Sequence, residues 1–272
     1  RAGGGSAANT IVTAALLGGS TFYSCKVSND ETGDFFAQDL SELSVATNLA
    51  EARPTGVTGE CISMITPDGE RTLVTHLGIS QTLSTAEVDE SMLASAQYLY
   101  IEGYLITSPT ALDAVLKTQA IAKQHGVKVA LTLSDVGMVE NFKDEFNTLF
   151  RNGVDLVFCN EDEAKLWTGC NDRDQAAAAL GDYATRFAMT LSGDGAIVSG
   201  STGKPIFVPA EKVEALDTTG AGDTFAGGVL YGLARGATLE DATARAHRLA
   251  KRVVSRFGAR LDLQEVLDIT LS

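Results

Sequence analysis

The chain has 272 residues, a hydrophobic fraction of 44% and a formal net charge of −14 at pH 7. This length suits one large α/β domain, alone or with a small appendage. The apolar residues are too dispersed for a membrane span, which needs an uninterrupted run of about 20. The acidic balance argues against nucleic acid as a partner, because phosphate backbones select basic surfaces.

The cysteines and histidines further limit the class of protein. The four cysteines form no C-x-x-C pair, which is typical of reduced thiols in the cytoplasm and not of disulfides or a zinc site. The histidines lack metal-ligand spacing and are interpreted as core or surface residues. These residues are Cys25, Cys61, Cys159, Cys170, His76, His125 and His247.

The first third of the chain predicts a helix, a strand, a second helix and a β-hairpin. The helices are expected at 7–17 and 34–43, and the strand at 21–27. Two strand-like runs at 60–65 and 71–76 flank a Thr-Pro-Asp-Gly turn at 66–69. The hairpin is either a surface hairpin or a lid that closes over a ligand to exclude water.

From residue 84 onward, helices and strands alternate. This order predicts a mostly parallel sheet with helices on both faces. Ligands bind beyond the carboxyl ends of such strands, so we expect Glu102, Asp135, Asn160 and Asp223 in one crevice. The predicted strands are 98–101, 127–133, 155–159, 187–191 and 196–199, and the predicted helices are 108–125, 142–152 and 175–183.

The most informative stretch is Asp-Thr-Thr-Gly-Ala-Gly-Asp-Thr at 217–224. We expect a strand at 212–216 before it and a helix at 221–234 after it. Gly220 and Gly222 let the backbone turn tightly, and a helix N-terminus binds anions through its free N–H groups. Asp223 in such a place is either an ordinary first-turn acid or the base of a phosphoryl transfer.

Residues 217–228 resemble the second signature of the ribokinase-like (PfkB) carbohydrate and nucleoside kinases. Gly4-Gly5-Ser6-Ala7-Ala8-Asn9 resembles the first signature of that family. The resemblance implies a ribokinase-like three-layer α/β/α fold with a mostly parallel central sheet. It implies a large domain of residues 1–50 and 79–272 and a small β lid of residues 51–78. The rest of the lid, with a substrate-binding Asp that the family often carries, is expected in a segment before residue 1.

The resemblance also implies the reaction. The γ-phosphoryl group of ATP would pass to a hydroxyl of a nucleoside, adenosine first, or of a sugar or sugar phosphate of the ribose or fructose type. Asp223 would be the general base, and Asn160 and Glu163 would hold Mg²⁺ through water. A monovalent cation such as K⁺ would bind near Asp217 and Thr219. The remaining contacts would be Thr219, Gly220, Ala221 and Gly222 for phosphate, Gly4, Gly5 and Asn9 for substrate, and Thr190, Ser192, Gly193, Gly195, Gly258 and Ala259 for the nucleotide.

Several alternatives stay open. Asn160 and Glu163 also fit a helix capping box. Gly3-x-Gly5-x-x-Ala8 fits a dinucleotide fingerprint, as in an NAD-dependent oxidoreductase, although this reading leaves 217–228 unexplained. A kinase-like binding protein without turnover is a third reading, and a homodimer through the edges of the lid hairpin is left open.

Overall fold

Strands and helices alternate along the chain in the computed structural model, which describes residues 1–50, 53–65, 71–200 and 203–271. No helix within these ranges has the length and apolar character needed to cross a membrane. The elements are α1 Ser6–Leu16, β1 Phe22–Tyr23, α2 Glu31–Glu42, β2 Ala46–Thr47, β3 Glu60–Ile65, β4 Arg71–His76, α3 Glu90–Ser95, β5 Tyr98–Glu102, α4 Pro109–His125, β6 Lys128–Thr132, α5 Val136–Asn141, α6 Lys143–Asn152, β7 Leu156–Asn160, α7 Glu161–Thr168, α8 Arg173–Leu180, β8 Arg186–Thr190, β9 Gly195–Ser199, β10 Pro205–Pro209, α9 Ala221–Ala234, α10 Leu239–Val254 and α11 Leu263–Leu271.

The central sheet has the order β5-β6-β7-β8-β9-β10. Strands β5 to β8 pair in parallel, because each is joined to the next by helices that cross one face of the sheet. Strand β9 pairs antiparallel with β8, and β10 pairs antiparallel with β9 at the edge of the sheet. The predicted mostly parallel sheet is therefore confirmed.

Helices cover both faces of the central sheet. The side chains of β7 point alternately to the two faces and pack against a different set of helices on each. Val157 and Cys159 of β7 pack in a core cluster with side chains of α4 to α8. Leu156 and Phe158 point the other way, into a second cluster with α9 and α10. Helix α1 packs on α9, where a Cβ added to Gly227 would lie 2.4 Å from the carbonyl oxygen of Thr10. The three-layer α/β/α arrangement is confirmed.

Two predicted strands are wrong in extent or kind. Residues 212–216 form no strand, because the backbone N–H groups of Leu216 and Asp217 donate to the carbonyl of Val254 at the end of α10. A helix end, and not a neighbouring strand, therefore holds this segment. The strand expected at 21–27 shrinks to β1, because the side chain of Asn48 takes both backbone hydrogen bonds of Cys25.

The β3–β4 hairpin forms a sheet of its own, separate from the central one. Ile62 pairs with Val74 and Met64 with Thr72, so these four side chains share one face. The opposite face carries Cys61 and Ser63. The predicted turn at 66–69, Thr-Pro-Asp-Gly, lies outside the described residues.

Candidate active site

A cavity of about 1670 Å³ opens at the carboxyl edge of the parallel strands. Glu102, Thr132, Asn160 and Thr190 end β5, β6, β7 and β8 in turn, and all four line it. Asp135 and Asp223 line it too, so the expected crevice exists. Pockets for a single drug-sized ligand hold about 300–1,000 Å³, so this cavity has room for two ligands side by side.

Asp223 is held by two side chains of α1. Its Oδ1 accepts a hydrogen bond from Ser6 Oγ at 2.7 Å, and its Oδ2 accepts one from Asn9 Nδ2 at 2.9 Å. These bonds join residues more than 200 positions apart and bring the two signature motifs together at one carboxylate. Both donors stabilise the ionised form that a general base requires.

The turn before α9 depends on Gly220. Its φ of 76° is left-handed, and a Cβ added there would lie 2.3 Å from the carbonyl oxygen of Ala259. Only glycine meets both conditions. As N-cap residue, Gly220 has no side chain to close the helix end, so the turn can present N–H groups to an anion. The N–H of Ala221 already donates to Thr218 at 3.3 Å, which makes it the weaker donor.

Buried Asp217 ties this turn to the C-terminal loop. It accepts hydrogen bonds from the N–H of Thr219 at 2.9 Å and from the N–H of Gly258 at 3.0 Å. Gly258 has this structural contact and, unlike Ala259, does not line the cavity. The remaining residues assigned from the sequence to phosphate, substrate, nucleotide and metal do line it: Gly4, Gly5, Asn9, Asn160, Glu163, Thr190, Ser192, Gly193, Gly195, Thr219, Gly220, Ala221 and Gly222.

Asn160 and Glu163 form the capping box of α7. Asn160 Oδ1 accepts from the N–H of Glu163 at 2.8 Å, and Glu163 accepts from the N–H of Asn160 at 3.1 Å. Burial raises the pKa of Glu163 to about 7, and the charges of Asp135 and Asp162 act in the same direction. The described part of the chain holds no group of three or more His, Cys, Asp or Glu suited to a metal. Asn160 and Glu163 carry oxygen atoms of the kind that Mg²⁺ binds.

The loop after β8 and helix α10 also contribute residues to the lining of the cavity. Ser192, with a left-handed φ of 52°, opens a 3₁₀ turn at Ser192–Asp194. Val213 and His247 line the same cavity. The His247 ring lies 5.2 Å from the ring of Phe225, and burial lowers its pKa. The sequence indicated a core or surface histidine, and no spacing signal marked it as a cavity residue.

Glu102 is a second acid beside Asp223, and it was assigned no role from the sequence. It ends β5 and accepts a hydrogen bond from the N–H of Ala7 at 2.7 Å. Burial raises its pKa to about 7, the Ala7 bond opposes that shift, and the charge of Asp223 adds to it. In the sequence, its position after a predicted strand indicated a place in the crevice, but nothing indicated a role.

The dinucleotide reading fits this geometry poorly. In that reading the first turn of the helix would hold a pyrophosphate through its backbone N–H groups, but the N–H of Ala7 donates to Glu102 at 2.7 Å. Ser6 and Asn9 instead direct their side chains to Asp223. The glycine-rich start therefore belongs to the same site as residues 217–224.

Comparisons with known proteins agree with this arrangement. The family model described as pfkB family carbohydrate kinase matches residues 1–266. The chain is 27% identical to the ribokinase of Mus musculus, over 99% of this chain and 83% of that protein. It is 26% identical to adenosine kinase 2 of Arabidopsis thaliana, over 94% and 79%. The crystal structure of adenosine kinase from Sinorhizobium meliloti superposes with a TM-score of 0.92 at 34% identity, covering 98% of this chain and 82% of that one.

Proposed function

The chain belongs to the pfkB family of carbohydrate kinases, and from that membership we propose that it transfers the γ-phosphoryl group of ATP to a hydroxyl of a nucleoside. It is a phosphotransferase with an alcohol group as acceptor, like its relatives. One observation carries the choice of base: Asp223 lies in the first turn of a helix capped by glycine, and both α1 donors point at it.

The chemistry follows from these positions. Asp223 takes the proton of the acceptor hydroxyl as the oxygen attacks the γ-phosphorus, and the bond to the β-phosphate oxygen breaks. The turn of Gly220, Ala221 and Gly222, with Thr219 beside it, stabilises the charge on the transferred group. Mg²⁺ neutralises phosphate charge and would be held through water by Asn160 and Glu163. Gly4, Gly5 and Asn9 lie beside Asp223 and would hold the acceptor.

The rest of the cavity suits ATP. The cavity is lined by Ala259, which packs against Gly220 of the phosphate turn, and by residues at the end of β8 and in the loop after it: Thr190, Ser192, Gly193 and Gly195. We assign this part of the cavity to the nucleotide, and the Asp217–Thr219 turn to a monovalent cation such as K⁺. The four free thiols fit a cytoplasmic location.

Apolar and aromatic residues in the lining of the cavity favour a nucleoside over a free sugar as the acceptor. α2 contributes Phe35 and Phe36, the hairpin contributes Leu73, and the turn after β5 contributes Tyr104 and Leu105. A sugar alone presents hydroxyls and gains little from such walls, whereas a purine offers an aromatic face to them. The 34% identity to an adenosine kinase supports adenosine, whereas the equal 34% identity to a probable sugar kinase from Rhizobium etli and the 27% identity to a ribokinase support the sugar alternative.

We test the reaction by ADP release from Mg-ATP with adenosine, inosine, ribose, fructose and fructose 6-phosphate. We expect turnover with adenosine, a 5′-phosphate product by ³¹P NMR, and loss of turnover in Asp223→Asn. Preference for ribose or a fructose compound would select the sugar-kinase alternative. No turnover with any acceptor, or full activity in Asp223→Asn, would refute the assignment of the base.

We also propose that the hairpin of residues 51–78 is a lid and that its outer face is covered by a second copy of the chain. Ile62, Met64 and Val74 on that face are 65%, 48% and 53% exposed, which is unusual for three adjacent apolar side chains. Sedimentation equilibrium should show a dimer that Met64→Glu with Val74→Glu dissociates. A monomeric parent protein would refute this arrangement.

A further inference from the structure

Arg260 connects three parts of the chain at the edge of the site. Its Nε donates to Asn9 Oδ1 at 2.8 Å, and its Nη1 donates to Asp39 Oδ2 at 2.6 Å. Its Nη2 lies 3.5 Å from the carbonyl oxygen of Gly4. The side chain is only 11% exposed, so these contacts are made largely away from water. A buried arginine with several partners is held in one geometry.

The contact with Asn9 fixes which way the amide of that residue faces. A guanidinium can only donate hydrogen bonds, so it requires the oxygen end of the Asn9 amide. The NH₂ end is then directed to the opposite side, where Nδ2 donates to Asp223 at 2.9 Å. A carboxylate can only accept, so the order Arg260, Asn9, Asp223 is consistent in one amide orientation alone.

The backbone that carries Arg260 belongs to the phosphate side of the cavity. Gly258, two residues earlier, donates its N–H to Asp217 at 3.0 Å. Ala259 packs so closely on Gly220 that no Cβ fits between them. The loop that supports the phosphate turn therefore also delivers a side chain to the acceptor side.

We propose that Arg260 is a positioning residue for the reaction: held by Asp39, it locks the Asn9 amide so that its NH₂ group faces Asp223 and the acceptor hydroxyl. The inference rests on the proposed function, because it assumes that Asp223 is the base. It assigns to the C-terminal loop an effect on the acceptor that acts mainly through Asn9.

The test compares Arg260→Met with Asn9→Ala and with the double variant. A displacement of a reacting group by about 1 Å can cost on the order of 10²-fold in rate, so we expect Arg260→Met to lower kcat/KM for the acceptor by roughly 10²-fold. The KM for ATP should stay within about twofold. In the Asn9→Ala background, Arg260→Met should add no further loss, because the residue through which it acts is gone.

Matched variants separate positioning from stability. Asp39→Asn weakens the ion pair but leaves the Arg260–Asn9 hydrogen bond, so we expect a smaller kinetic loss. Arg252→Met removes an exposed ion pair with Glu265 and should not change kcat/KM. If Arg260→Met does not fold, Arg260→Lys serves instead, because one ammonium cannot reproduce the bonds to both Asn9 and Asp39. Its kcat/KM should fall at least tenfold.

Two results would overturn the proposal while leaving Asp223 as the base. One is kcat/KM within threefold of the parent in Arg260→Met or Arg260→Lys, with only the melting temperature lowered. The other is a full additional loss in the Asn9→Ala background. Failure of the proposed function looks different: the parent then shows no turnover with any acceptor, or Asp223→Asn stays active, and the role of Arg260 falls with it.

Discussion

Helices α7 and α9 begin at the same edge of the sheet, and each carries an acid at the third helical position. In α7 the N-cap is Asn160, and Glu163 folds back to form a reciprocal capping box. In α9 the N-cap is Gly220, and Asp223 reaches across to Ser6 and Asn9 of α1. The N-cap residue thus decides whether such an acid closes its own helix or serves a neighbouring site.

The largest effect is expected when each acid is replaced by its amide. Asp223→Asn removes the base and should lower kcat by roughly 10²–10⁴-fold, the usual contribution of general base catalysis. Glu163→Gln keeps a residue that completes a capping box and should lower kcat by about tenfold or less. Steady-state kinetics at saturating Mg-ATP measures both. Equal losses would contradict the distinction between the two helix ends.

The two glycines of the α9 turn should separate catalysis from stability. Gly220→Ala places a Cβ against Ala259 at a left-handed φ, so it should cost on the order of 1–3 kcal/mol of stability as well as activity. A Cβ on Gly222 meets no atom within 4 Å, so Gly222→Ala should fold normally. It should still lower kcat, by roughly 10²-fold, because the methyl group enters the space assigned to phosphate.

Melting temperature and kcat, measured together, check this pair. The contrary outcome is a Gly222→Ala variant with the kcat of the parent, which would move the phosphate away from this helix end. A Gly220→Ala variant with unchanged melting temperature would show that the turn can relax.

Much of this site could be predicted from the sequence, and the features that could not be predicted depend on contacts between distant parts of the chain. Helix α9 has the predicted bounds, because two glycines and a run of small residues leave few alternatives. The strand predicted at 212–216 failed, because the end of α10 supplies its backbone partner and no local pattern reveals that. Arg260 was missed as a site residue for a similar reason, and Glu102 was expected in the crevice but without a role. Their roles depend on contacts with α1 that lie 251 and 95 positions away.

Glu102 and Glu163 line the cavity, and each has a raised pKa. We therefore expect the stability of the fold to depend on pH. Glu102 and Glu163 titrate near 4.5 when unfolded and near 7 when folded. The folded state therefore binds more protons between these values, and stability falls as pH rises through that window. Glu102→Gln cannot ionise, so its advantage over the parent should grow from pH 4.5 to 7 to on the order of 2 kcal/mol.

Thermal melts of parent and Glu102→Gln between pH 4.5 and 8 measure that difference directly. Glu163→Gln should follow the same course. A constant difference across the range would show that the Glu102 carboxyl is hydrated enough to titrate normally.

The smallest effect should come from the cap of α7, and it decides whether that cap also serves the metal. Asn160→Ala removes a side-chain cap and should cost about 1 kcal/mol. Asp172 caps α8 with bonds to the N–H groups of Asp174 and Gln175 and does not line the cavity, so Asp172→Ala is a matched control. Both variants should melt a few degrees lower, because each loses a helix cap and with it a similar part of the free energy of unfolding. Only Asn160→Ala should raise the Mg²⁺ concentration that gives half-maximal turnover. If the two variants need the same Mg²⁺ concentration as the parent, Asn160 is a cap and nothing more, and the metal is held elsewhere.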